Sequence, residues 1–238
     1  MKRAHGQMSE SLLLGVMLAV AGGFFDAYTY LCRGKVFANA QTGNIVLFGA
    51  KLAERDWLRA VEYFLPILAF ALGVVAAELV KRRYKRRQNQ DINIHWRQIV
   101  VLVEIVLLVI AAFLPQSLNT TVNIMISFIC AMQVESFRKV RGSAFATTMC
   151  TGNLRSGTEQ LIIWAQTGDK GALRKVRNYY SIIAFFILGG AVGALTTTRW
   201  GEKALLLTCI PLILVFAVMF IEEEHTLEEE EHLSEKGK

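Results

Sequence analysis

Long apolar stretches separated by short polar segments run along the whole chain. Six of them approach the roughly 20 residues that an α-helix needs to cross about 30 Å of hydrocarbon. A soluble chain of 238 residues could not bury six such helices. The pattern therefore predicts an all-α fold, a polytopic bundle of transmembrane helices. The six stretches are Ser11–Leu31, Tyr63–Val80, Ile99–Leu114, Val122–Val134, Tyr179–Thr197 and Ala204–Ile221.

A repeated tripeptide indicates two copies of one unit. Thr42-Gly43-Asn44 recurs 109 residues later as Thr151-Gly152-Asn153, and at the same offset Asp26 meets Glu135. Motifs that recur in the same order are typical of membrane proteins built from internal repeats. The sequence therefore predicts two repeated halves. The expected divisions are a first half over 1–98 with a basic cytoplasmic loop at 81–98, a linking helix over 99–116 that completes this half, a second half over 117–221, and an acidic mobile tail over 222–238.

The two segments that carry the tripeptide, Phe37–Ala53 and Phe145–Ala165, are too polar to face lipid on all sides, because unpaired polar groups in hydrocarbon are costly. The other helices are therefore expected to enclose them. If each segment crosses the membrane, the chain has eight spans and its halves run parallel. If each segment is re-entrant, the chain has six spans and its halves are inverted. The basic residues favour six spans, because more of them then lie on the cytoplasmic side.

The charged residues, cysteines and histidines exclude several classes of function. The basic cluster Lys81–Arg87 directly follows an apolar stretch, so it is predicted to contact anionic lipid headgroups at the cytoplasmic surface rather than nucleic acid. The four cysteines and four histidines show no disulfide, metal-ligand or nucleophile–base spacing. The sequence also lacks a phosphate-binding loop. It predicts no enzyme, no catalytic residue, no metal and no cofactor.

Asp26 is the first candidate for chemistry. It shares a helix stripe with Gly15, Ala19 and Gly22, small residues that let another helix approach, so it is expected to face protein. An enclosed carboxylate can accept a proton or help to bind a cation, and its counterpart Glu135 is expected to do the same. The open alternative places both acids near helix ends, where they contact headgroups or pair with nearby arginines. Those arginines are Arg33 and Arg138.

The Thr-Gly-Asn tripeptides are the second candidate. Glycine lets a backbone approach a ligand closely, while threonine and asparagine cap interrupted helices or coordinate ions. The alternative is hydrogen bonding between packed helices. Arg155 is expected to need an anionic partner, either Glu135, Glu159 or a bound solute. The predicted path for a solute or ion is lined by Asp26, Thr42, Gly43, Asn44, Glu135, Thr151, Gly152, Asn153 and Arg155.

Other membrane residues are assigned to packing or pairing. Gly73 and Gly189 lie 116 residues apart in matching Leu-Gly pairs, and with Gly193 they mark predicted helix-packing faces. Glu78 is expected to pair with the basic cluster that follows it. Glu104 lies inside an apolar stretch and has no evident partner in the sequence.

These motifs also resemble a known family. Gly23-Phe24-Phe25-Asp26-Ala27, Phe37-Ala38 and Gln41-Thr42-Gly43-Asn44 are similar to the motifs of YoaK-like bacterial membrane proteins, a family of unknown function. The resemblance runs through most of the chain and includes Phe145 to Asn153. It departs at Glu135-Ser136, where the first half has Asp-Ala. The resemblance implies a multi-pass protein of the bacterial inner membrane and no particular substrate.

The leading functional hypothesis is a small secondary transporter or channel for a polar or ionic solute, with a path between the two halves. The alternative is a non-transporting membrane scaffold or regulator that holds partners through its packing faces, basic cluster and acidic tail. Either protein contacts the lipid bilayer, and a homo-oligomer is compatible with both hypotheses.

Overall fold

Helices make up nearly all of the structure, a computed structural model that describes residues 12–86, 96–137, 139–140, 143–144 and 150–219. The long helices are α1 (Leu12–Cys32), α2 (Gln41–Ala53), α3 (Trp57–Arg86), α4 (Trp96–Ala112), α5 (Asn119–Ser136), α6 (Cys150–Thr167) and α7 (Lys170–Trp200). The two-residue strands β1 (Lys139–Val140) and β2 (Ser143–Ala144) pair antiparallel. After α7, a 3-10 stretch (Gly201–Thr208) continues into a helix over 209–219, and we call residues 201–219 the terminal segment. The predicted all-α class is confirmed.

Within the residues that the structure describes, four ranges are long and apolar enough to cross a membrane, and they are Leu12–Cys32, Trp57–Tyr84, Gln116–Ser136 and Lys170–Met219. The last range has 50 residues and comprises α7 and the terminal segment, which is enough for two crossings at about 20 residues each. Large apolar side chains face outward, among them Leu58 (84% exposed) and Leu195 (74%). A water-facing surface rarely carries so many exposed apolar groups, whereas a lipid-facing surface requires them.

Contacts between helix ends show the direction in which each helix runs. Arg33, directly after α1, donates to the carbonyl of Leu114 beyond the end of α4 (3.0 Å) and to Asn119 Oδ1 at the start of α5 (3.3 Å). At the opposite end of the bundle, Arg97 near the start of α4 donates to the carbonyl of Ser136 at the end of α5 (2.8 Å). Therefore α1 and α4 run in one direction, and α5 runs in the other.

Glycines on α7 bring that helix against the backbone of α1. Gly189 lies against Val20, and Gly193, one turn later, lies against Phe24. Because residue numbers rise along both helices in the same sense, α1 and α7 are parallel. A Cβ at Gly189 would overlap the Val20 carbonyl, so only glycine permits this approach. The packing face predicted from Gly189 and Gly193 is confirmed.

A second parallel pair is formed by α3 and α5. Gly73 packs against Phe128, and farther along the two helices Lys81 Nζ lies 4.0 Å from Glu135 Oε1 near the end of α5. A Cβ at Gly73 would overlap the Phe128 carbonyl oxygen, which confirms this packing face as well. Residues at the start of α3 therefore lie at the same end of the bundle as Arg33.

The predicted pairing of Glu78 with the basic cluster is confirmed. Its carboxylate accepts from Lys81 Nζ and Arg82 Nε, each at 3.0 Å. Arg87, Arg138 and the tail over 222–238 lie outside the described residues.

The largest buried apolar cluster joins α1, α4, α5 and the terminal segment. Both Thr-Gly-Asn helices lie outside it, with α2 packed on α3 and α6 packed on α7. The buried residues are Asn44 alone in α2 and Asn153 with Gly157 in α6. The expectation that the other helices of the chain enclose both segments on all sides is therefore wrong, because only one face of each is covered.

Candidate functional site at the inner end of α2

Asp26 holds the start of α2 inside the bundle. It lies about 9 Å before the end of α1 at Cys32 and is buried. Its Oδ1 accepts hydrogen bonds from Asn39 N (2.8 Å) and Ala40 N (3.1 Å), the two residues directly before α2. A carboxylate is well placed there, because a helix N-terminus attracts negative charge. Among the described residues no basic side chain forms a salt bridge with Asp26, so the alternative pairing with Arg33 is wrong.

Side chains supply the hydrogen bonds that the loop before α2 needs. Asn44, which is fully buried, accepts from Phe37 N (3.0 Å) and donates to the Phe37 carbonyl (2.6 Å). Thr29 Oγ1 accepts from Ala38 N (3.1 Å) and donates to the Phe25 carbonyl (2.9 Å). Backbone groups inside a membrane bundle require such partners because water is absent. Asn44 therefore shapes this loop.

The other two residues of the first tripeptide differ in setting. Gly43 lies against the ring of Phe37, where a Cβ would come within 2.7 Å of Cδ2, so glycine is required by the close approach. Thr42 is exposed on the outer face of α2.

The second tripeptide repeats this arrangement only in part. Asn153 is buried like Asn44, but Thr151 and Gly152 are exposed. A Cβ at Gly152 would meet open space. The buried asparagine is thus the feature that the two copies share.

Arg155 is exposed on α6. Among the described residues it forms no ion pair with Glu135 or Glu159. The enclosed setting expected for its guanidinium is therefore absent from the single chain.

Glu135 and Asp26 have unequal surroundings. Glu135 lies at the end of α5, where its side chain is 12% exposed and within 4.0 Å of the Lys81 ammonium. Asp26 lies deeper and is held by backbone N–H groups. The structure therefore places the two acids in different chemical environments.

Polar side chains lead from Asp26 across the bundle toward α4. Gln41 Nε2 lies 3.4 Å from Ser127 Oγ on α5. About one turn along α5, Cys130 lies within electrostatic reach of both Asp26 and Glu104. Ser127 of α5 thus lies beside the inner end of α2, and Cys130 of the same helix lies near Glu104 of α4.

A polar cavity of about 260 Å³ opens at the end of the bundle where α1 ends. Gly34, Arg59, Asn119 and Asn123 are among its lining residues. Beside it, Arg33 is fully buried, and its guanidinium donates to Tyr28 OH (2.8 Å) as well as to carbonyl groups at the end of α4. The cavity lies on the side from which the loop before α2 enters.

Sequence reasoning missed Thr29 and Ser127, which contribute to the polar region around Asp26, and it named Gln41 only as part of the motif that ends in Thr-Gly-Asn. Single hydroxyl groups in apolar stretches are common, so the pattern offered no signal that separates Thr29 and Ser127. Arg33 was considered only as a partner of Asp26. Its adjacency to the apolar stretch is equally typical of a residue at a membrane surface.

Within the described part of the chain, no three His, Cys, Asp or Glu side chains converge on a point that could hold a metal ion. The four cysteines are free thiols. The side chains that meet around Asp26 carry carboxyl, amide and hydroxyl groups.

Comparison with known proteins agrees with the resemblance seen in the motifs. The family described as "Protein of unknown function (DUF1275)" matches residues 14–218. A relative, the UPF0700 transmembrane protein YoaK of Bacillus subtilis (strain 168), is 24% identical over 215 residues, which cover 85% of this chain and 90% of the relative. No solved structure matches the chain. The resemblance predicted from the Asp26 and Thr-Gly-Asn motifs is confirmed.

Proposed function

The chain belongs to the DUF1275 family, and on that premise we propose that it is a small secondary transporter or channel for a polar or ionic solute in the bacterial inner membrane. Its helix bundle has six crossings, which are α1, α3, α4, α5, α7 and the terminal segment. Two re-entrant segments, built around α2 and α6, complete two inverted halves. The solute path runs between these halves.

The ends of α2 support the first re-entrant segment. Gly34 precedes α2 and Arg59 follows it, yet both line the same cavity at one end of the bundle. Between them, Asn39 reaches Asp26, about 9 Å before the end of α1. A segment that starts and ends on one side and turns inside the bundle has the form of a transporter's interrupted helix.

The ends of α6 support the second re-entrant segment. α5 ends beside Lys81, and α7 starts at that same end of the bundle because it runs parallel to α1. Cys150, at the start of α6, lies within electrostatic reach of Asp26 inside the bundle. The second segment thus enters from the side opposite to the first, as inverted halves require.

Reciprocal packing supports the duplication itself. The first-half helix α1 packs on α7, and the second-half helix α5 packs on α3. Gly189 lies against Val20, and its counterpart Gly73 lies against Phe128. The repeat offset of 109 assigns Val20 to position 129, one residue from Phe128. The two glycines therefore have equivalent places in equivalent interfaces.

The transport proposal depends on the hydrogen bonds between Asp26 and the backbone directly before α2, which lies inside the bundle. An ionised carboxylate makes strong hydrogen bonds to the N–H groups of Asn39 and Ala40. A proton or a bound cation withdraws that charge and loosens the loop. Since one face of α2 is uncovered, the helix has room to move, and solute access follows the occupancy of Asp26.

Purified protein in lipid vesicles tests this function. We expect flux of a polar or ionic solute or of protons under an imposed gradient, and we expect Asp26→Asn to abolish the proton-dependent part. Asparagine keeps an oxygen that accepts from Asn39 N, so the variant should remain folded while it loses the titratable group. Glu54→Gln is the matched control, because Glu54 is 59% exposed at the end of α2. Absence of any flux in the wild-type protein would leave the scaffold hypothesis in its place.

The inverted arrangement predicts opposite exposure of two loops. In a variant without native cysteines, Glu54→Cys should react with a membrane-impermeant maleimide in intact cells. Lys170→Cys should react only after the cells are permeabilised. Both positions are exposed, so burial does not limit either reaction. Equal labelling of both from outside would support parallel halves and contradict the six-crossing arrangement.

A further inference from the structure

The interface between α4 and α5 buries a carboxyl and an amide that the proposed path does not use. Glu104 on α4 and Gln133 on α5 are both 0% exposed. Both carboxyl oxygens of Glu104 and both polar atoms of Gln133 lack a hydrogen-bond partner among the described residues. Gln133 is nevertheless near enough to the Glu104 carboxyl to act on it as a hydrogen-bonding group, so the two side chains lie side by side although their geometry falls short of a well-formed hydrogen bond.

Among the described residues, no opposite charge acts on an ionised Glu104. It lies midway along α4, about 12 Å from either end of the helix. Cys130 of α5 lies within electrostatic reach of Glu104 and of Asp26 on α1. The remaining charged groups on neighbouring elements lie toward helix ends, and they include Glu78, Lys81 and Arg82 on α3, Glu135 on α5, and Glu202 and Lys203 on the terminal segment. Within the described residues only Gln133 acts on the Glu104 carboxyl.

A buried carboxylate without a counter-charge is strongly unfavourable. Binding a metal cation would neutralise it, but such cations require about six oxygen ligands, and among the described residues no three His, Cys, Asp or Glu side chains converge on a point that could hold one. A proton needs no such ligand shell. The surroundings therefore favour a neutral carboxylic acid.

We propose that Glu104 and Gln133 form a proton-binding site in the core of the bundle. The Gln133 amide suits both states of its neighbour. Its carbonyl oxygen accepts from a protonated Glu104, and after a flip its NH2 group donates to the ionised carboxylate. Gln133 acts here as a positioning residue, since the proton resides on Glu104.

The site has a defined relation to Asp26. Cys130 lies within electrostatic reach of both acids, so both carboxyls lie near the same part of α5. As a second proton site, Glu104 would couple proton uptake to movement of α2. This coupling rests on the proposed transport function, whereas proton binding by Glu104 does not.

Infrared difference spectroscopy of the purified protein in lipid vesicles tests the site directly. Acidification from mildly alkaline buffer should produce a carboxylic acid carbonyl band typical of an apolar environment. Glu104→Gln should abolish the part of that band that persists in an Asp26→Asn background, because glutamine has nearly the same shape as glutamate and no titratable group. Gln133→Met should shift the band without removing it. Glu159→Gln, at an exposed position on α6, should leave it unchanged.

A band that keeps its full intensity in Glu104→Gln would overturn the proposal. If Glu104→Gln does not fold, Glu104→Asp is measured instead, where a displaced band supports the site and an unchanged one contradicts it. The flux measurement separates the two ideas. If Glu104→Gln loses the band and the wild type shows no flux, the proton site is retained and transport is rejected. If the wild type shows flux and Glu104→Gln keeps the band unaltered, transport is retained and the proton site is rejected.

Discussion

Arg33→Met is expected to lower the free energy of unfolding by about 3 kcal/mol, because each buried acceptor left without a donor costs about 1 to 3 kcal/mol. The guanidinium donates to Tyr28 OH, to the carbonyls of Ala111 and Leu114, and to Asn119 Oδ1. Methionine fills a similar volume and donates to none of them. Loss of a cation beside the end of α4 adds to the effect, since helix C-termini attract positive charge.

Thermal unfolding in detergent, followed by circular dichroism, measures this loss. Arg59→Met is the control, because Arg59 lines the same cavity but is 51% exposed and pairs with Glu62 at the surface. Its replacement should change stability by less than about 0.5 kcal/mol. Arg33→Lys should recover part of the stability, since an ammonium retains the charge but has fewer donors. Equal melting temperatures for Arg33→Met and the wild type would show that these contacts do not stabilise the fold.

Gly189→Ala is expected to destabilise the protein by about 2 kcal/mol, in the range of an overpacked core. The added methyl group would overlap the carbonyl of Val20, so α7 must move away from α1. Backbone atoms cannot yield as the end of a flexible side chain can. The separation also disturbs the neighbouring contact of Gly193 with Phe24.

Two further glycines provide the comparison. Gly49→Ala on α2 meets open space and should be neutral or slightly stabilising, because alanine favours the helix by up to about 1 kcal/mol. Gly73→Ala should resemble Gly189→Ala, since it overlaps the Phe128 carbonyl in the other parallel pair. Melting temperatures of the three variants test both points. A tolerated Gly189→Ala would mean that α1 and α7 are farther apart than described.

Sequence patterns predicted the helices well and their surroundings less well. The apolar stretch Tyr63–Val80 lies within α3, and Tyr179–Thr197 lies within α7. Four-residue spacing of small residues located the contact at Gly189. Such signals succeed because hydropathy and small-residue spacing are properties of one helix. The prediction that other helices enclose α6 was wrong, because the covering of a helix depends on which distant helices pack against each of its faces.

At the candidate site, too, the sequence identified individual residues but not their partners on other elements. The acid Asp26 and the amide Asn44 stood out in the sequence, but their partners did not. Asp26 was expected to face protein, and it is buried, but the backbone N–H groups before α2 from which it accepts could not be named from the sequence. Gln133 carried no signal at all, since an amide in an apolar stretch is informative only when its neighbour on another helix is known.

The sequence by itself determined that this is a multi-pass membrane protein with a repeated Thr-Gly-Asn motif, because apolar length and motif spacing are local to the chain. Only the tertiary structure decided that Asp26 holds the inner end of α2, that Glu135 lies beside Lys81, and that Glu104 faces Gln133. The physical reason is that burial and hydrogen-bond partners arise between helices far apart in sequence. Their depths and directions are set by close backbone contacts such as that of Gly189, which a linear pattern marks without naming the partner.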